Sequence, residues 1–167
     1  MCFESLKLAF TACGILVIVS GLYITANALP RWATRSVDSQ KRTFGLWRAC
    51  EKNEYVSRCV NLPLSVDDKT MATRAFITIC CILAPLSAIS ILSIMFVNEN
   101  IKKHMALLAK VLAIASAISG IIGVGLGISI VVDTIKISNA TMGVSCILAI
   151  IALALNLAGA VITFLIK

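Results

Sequence analysis

WATRSVDSQKRTFGLWRACEKNEYVSRC, from Trp32 to Cys59, is the only long polar stretch in the chain. It carries both tryptophans and a close pair of cysteines. On either side the sequence changes character. Of 167 residues, 59% are hydrophobic and 14% charged, where soluble domains run about 45–50% and about 25%. Mean hydropathy is +0.98, and the charges fall between the apolar runs. Such a chain cannot bury its apolar side chains in one soluble core, so a bilayer must act as their solvent. The polar stretch is then what a membrane bundle holds clear of the lipid.

Four apolar runs reach the roughly 20 residues needed to cross a membrane. They are, in round limits, Leu8–Leu29, Ala75–Val97, Met105–Val132 and Gly143–Ile166. None has an Asp or Glu in its interior; Lys110 lies one turn inside the third and can snorkel to the interface. Ala26-Asn27-Ala28 resembles a cleavage site, but a first run of about 22 residues exceeds the roughly 7–15 of a signal peptide. It is read as a retained span, ended by Pro30. Pro85 is expected to bend the second span. The connections are then a long loop over 30–74, a tight polar turn at Asn98–His104 and a short loop over 133–142. The whole chain, 1–167, reads as one membrane domain with both termini on one side. Cys2, beside the first span, is read as unmodified.

Small residues recur at helical spacing in the third span, at Ala113, Ser116, Gly120, Gly123 and Gly127. The fourth repeats the pattern at Ser145, Ala149, Ala152, Asn156, Gly159 and Thr163. Such seams let a neighbouring helix approach closely. They are read as packing within one chain, with Asn156 bonding across to a neighbour.

Within the long loop, Thr43–Cys50 and Tyr55–Asn61 are rich in strand formers and flank the polar turn Glu51–Glu54. Cys50 and Cys59 lie across this hairpin, close enough for a disulfide. Disulfides persist on the exoplasmic side. A count of Lys and Arg alone would put this loop inside; the cysteine pair outweighs it and puts the loop outside, with cytoplasmic termini. The loop has nine basic and five acidic residues, a net +4, which would favour anions if it lined a pore. Asn139-Ala140-Thr141 fits the N-glycosylation pattern, so Asn139 is a candidate acceptor.

The net charge of +7 does not mark a nucleic-acid binder, because the basic residues form no reading helix or aromatic platform. No Cys/His set has metal-ligand spacing, and no cofactor is called for. No span offers an ionisable pair for transport or catalysis, and no nucleophile–base pair is visible. No enzyme is expected.

Trp32, then Gly45-Leu46-Trp47, then Cys50 and Cys59, form a pattern in order. The chain resembles the claudin and peripheral-myelin-protein superfamily, which includes the epithelial membrane proteins, the lens fibre membrane protein and the calcium-channel gamma subunits. Arg74, in Met71–Ala75, looks like the family's Arg at the entry to the second span. The resemblance covers the whole chain in layout and about thirty residues in motif. It implies a left-handed four-helix membrane bundle, all-α, capped by a small extracellular antiparallel β-sheet, with Trp32, Leu46 and Trp47 seating the sheet. It implies a plasma-membrane protein of cell–cell contact or membrane organisation, self-associating in cis; the alternative is an auxiliary subunit of an ion channel or receptor. Three features depart from claudins. The gap from Trp32 to Gly45 is shorter, the last loop lacks an aromatic–proline turn, and Leu165-Ile166-Lys167 is not a PDZ ligand.

Overall fold

The computed structural model describes residues 3–37, 40–53, 55–63, 67–94 and 96–165. Cys2, Ile166 and Lys167, and Asp38 and Glu54 of the long loop, lie outside the described residues. Four helices are long and apolar enough to cross a membrane: α1 (Phe3–Ala28), α2 (Asp68–Ser93), α3 (Glu99–Ser138) and α4 (Val144–Leu165). In each, at most 39% of the most apolar window is buried inside the protein. The rest faces outward, with Phe10, Val17, Ile18, Ile82, Ile89 and Ile121 among the exposed side chains. In water that surface would aggregate; in lipid it is the required exterior. This is a multi-pass membrane protein.

Each helix packs on two neighbours, α1 on α2 and α4, and α3 on α2 and α4. Both small-residue seams are buried within the chain. What fills them is only partly a helix backbone. A β-carbon at Gly120 would meet the Tyr23 hydroxyl of α1 at 2.5 Å, and one at Gly123 would meet Phe76 and Ile77 of α2. Across the seams, Asn156 Nδ2 donates to Ser116 Oγ at 3.0 Å, with both residues fully buried.

Four strands follow α1: β1 (Ala33–Val37), β2 (Gln40–Phe44), β3 (Arg48–Lys52) and β4 (Ser57–Asn61). A fifth, β5 (Thr141–Met142), comes from the connection between α3 and α4. The antiparallel order is β4-β3-β2-β1-β5, so the long and the last connections share one end of the bundle.

One expectation is corrected. Thr43–Cys50 is not one strand: it holds the end of β2, a turn at 45–47 and the start of β3. The helix that carries the third apolar run is longer than that run: α3 begins at Glu99 and continues to Ser138. Its end is set by Asn139, in the left-handed conformation at φ 49°, whose N–H donates to the Ile135 carbonyl at 3.0 Å. Left-handed Asn is a recognised helix stop. Likewise α2 begins ahead of the second apolar run, at Asp68, and continues through Pro85.

Candidate functional site where the sheet meets the bundle

Trp32 folds back onto the helix it follows. Its indole N–H donates to the Ala26 carbonyl at 2.8 Å, in the last turn of α1, where carbonyls lack helical partners. The ring is 4% exposed. It lies on Gly127 of α3, where a β-carbon would run into Cζ3 and Cη2. One side chain thus ties the first helix to the third.

Gly45, Leu46 and Trp47 form the β2–β3 turn, closed by the Gly45 N–H donating to the Arg48 carbonyl at 2.9 Å. A β-carbon at Gly45 would run into the Pro30 Cα, so only glycine lets this turn sit on the exit from α1. Leu46 is buried. The Trp47 indole N–H donates to Asn27 Oδ1 at 2.7 Å, and Asn27 Nδ2 reaches Thr78 Oγ1 of α2 at 3.4 Å.

Arg74, in α2, is 4% exposed. Its Nε donates to the Leu46 carbonyl at 2.6 Å, and a terminal nitrogen donates to the Pro63 carbonyl at 3.0 Å. Its guanidinium carbon lies 4.9 Å from the centre of the Trp47 ring. A planar guanidinium can serve two carbonyls while offering its face to an aromatic ring. The five residues Trp32, Gly45, Leu46, Trp47 and Arg74 therefore converge on one joint.

The last connection enters the same joint. Gly143 packs so closely on the Arg31 carbonyl that no β-carbon fits. Its N–H donates to the Trp32 carbonyl at 2.8 Å, and the Ser145 N–H donates to the Arg31 carbonyl at 3.0 Å. First-turn donors of α4 thus find carbonyls just after α1, satisfying groups a helix start leaves unpaired.

Cys50 and Cys59 are disulfide-bonded. They are direct partners in the β3–β4 register. The Leu62 N–H donates to the Trp47 carbonyl, and the Asn53 N–H to the Val56 carbonyl. Counting along the ladder from those two bonds, the Cys50–Cys59 pair falls at a non-hydrogen-bonded position. There opposed side chains come closest, and the Cα atoms are 4.0 Å apart.

Arg48 and Arg58, two of the loop's basic residues, fall on opposite faces, since register pairs Arg58 with Glu51 and Arg48 with Asn61. Asn139 caps α3; Thr141 of the same tripeptide is paired in β5, its hydroxyl donating to the Thr34 carbonyl at 3.1 Å. Asn27, Gly127 and Gly143 were not singled out as site residues. The only signals were a polar residue in the last turn of an apolar run and two glycines facing that end. Among the described residues no group of three His, Cys, Asp or Glu side chains is placed to hold a metal.

The profile of the PMP-22/EMP/MP20/Claudin family matches residues 4–163. The chain belongs to this family. No curated protein matches the sequence. The match runs through all four helices and the sheet of this claudin-family chain, so the joint and the disulfide both lie inside the matched region.

Proposed function

We propose that this claudin-family protein is a non-enzymatic plasma-membrane component of cell–cell contact or membrane organisation, acting by lateral assembly with copies of itself or with other membrane proteins. Residues 1–167 act as one domain, with the sheet outside the cell and both termini in the cytoplasm. The joint made by Trp32, Gly45, Leu46, Trp47 and Arg74, with the Cys50–Cys59 bond, is its structural site, and Asn139 is a candidate N-glycosylation acceptor.

One observation carries the proposal. The sheet is clasped covalently and fastened to the bundle, yet its outer strand β4 is exposed at every residue. The β3–β4 tip presents Tyr55, 90% exposed, beside Val56. A rigid support under an exposed apolar edge suits contact with another protein. In freeze-fracture or surface imaging, the expressed protein should form strands or concentrate at borders between two expressing cells. Uniform distribution at such borders counts against it.

The auxiliary-subunit reading is favoured by a different observation. The last connection is absorbed by β5 and offers no projecting turn. Co-purification with a channel or receptor at fixed stoichiometry would support that reading.

A further inference from the structure

The two faces of the sheet differ in how their charge is balanced. On one, register aligns Arg42 with Glu51 and Glu51 with Arg58. Arg42 meets the carboxylate at 2.9 Å, so the acid lies between two cations. On the other face, register sets Lys41 directly opposite Lys52. The only described carboxylate in the five strands is Glu51, on the first face. Like charges directly opposed weaken a sheet. Water lets long side chains splay, so the repulsion alone is modest.

A cavity gives the second face its meaning. It has a volume of about 470 Å³ and is lined by Arg31, Lys41, Lys52, the Cys50 and Cys59 residues, and Leu29 and Pro30. Among the described residues, three cations and no carboxylate line it. Its floor is the exit from α1, where the first span ends, which puts it at the level of lipid headgroups.

We propose that Arg31, Lys41 and Lys52 form a binding site for a phosphate group. Lysines supply point charges and the guanidinium a fork of donors, both suited to phosphate oxygens. The group comes from a phospholipid headgroup of the adjoining leaflet or from free phosphate. This goes beyond the contact role and does not depend on it.

The test uses the full chain in a neutral maltoside detergent, with the disulfide intact. Thermal unfolding is followed in inorganic phosphate, in chloride at equal ionic strength, and with a short-chain phosphatidylcholine. Wild type should gain roughly 3 °C in saturating phosphate over chloride. Lys41→Gln/Lys52→Gln should lose that gain, and Arg42→Gln, on the other face, should keep it. In chloride, the double variant should be at least as stable as wild type, because the opposed charges are gone. Stabilisation by the phosphatidylcholine as well makes the headgroup the source; stabilisation by phosphate alone makes it the free ion. Equal stability in phosphate and chloride overturns the proposal. So does the same gain in the double variant, or a double variant less stable than wild type in chloride.

Discussion

Gly127 and Trp32 are a matched pair. The glycine has no side chain where the indole lies, and the indole spends its N–H on the Ala26 carbonyl. Gly127→Val should therefore cost about 1–3 kcal/mol, the usual range for overpacking, read as a lower thermal midpoint in detergent. Gly125, a helical turn's fraction away, has nothing near its missing β-carbon; Gly125→Val should leave the midpoint nearly unchanged. Arg74 gives a second prediction. Lysine keeps the charge but cannot hold the Leu46 and Pro63 carbonyls and cover Trp47 together. Arg74→Lys should lose about 2 kcal/mol and reduce the amount reaching the cell surface, measured by surface biotinylation. Wild-type surface levels and stability in that variant would mean that charge alone suffices.

Among the elements, β4 depends most on a single bond. It is the edge strand, exposed along its length, and among the described residues it pairs with β3 alone. Replacing Cys50 and Cys59 by Ser should cost about 2–3 kcal/mol by loop-entropy reasoning. Amide exchange should quicken first in Ser57–Asn61, while α1 and α4 stay protected. Elements are also the scale at which sequence reveals most and least. The four spans are legible because apolar runs of that length are rarely found outside a bilayer, and the disulfide because its cysteines flank a polar turn. The β2–β3 turn is hidden because its residues are apolar: Leu46 and Trp47 look like strand formers, yet they turn toward the bundle. Strands β1 and β2, ATRSV and QKRTF, escape notice because short, mostly polar strands show no hydrophobic alternation. The length of α3 is not legible because hydropathy marks where lipid ends, not where a helix does. Of the joint, Trp32, Gly45-Leu46-Trp47 and Arg74 are visible as a pattern, while Asn27 and Gly127 acquire meaning only from what folds against them.

For the whole molecule, the 40 residues of α3 span about 60 Å at 1.5 Å each, twice the roughly 30 Å of bilayer hydrocarbon. The helix must stand out of the membrane. In a background lacking the free cysteines, a membrane-impermeant maleimide should label Ile137→Cys, a site 87% exposed, on intact cells. Ile118→Cys, mid-helix and facing lipid, should stay unlabelled. Labelling of Ile137→Cys only after permeabilisation would invert the topology. Near the same end, Lys69 and Asp133 pair at 3.2 Å between α2 and α3, both about half exposed. Such pairs contribute about 0–1 kcal/mol, so Asp133→Asn should barely move the midpoint. The short β5 has a consequence in time. Its Thr141 meets Thr34 across a separation of 107 residues. At about 5–20 residues per second, a ribosome needs roughly 5–20 s to deliver the second after the first. Throughout that interval the nascent protein carries an open β1 border, a row of unpaired backbone groups of the kind to which another strand can add.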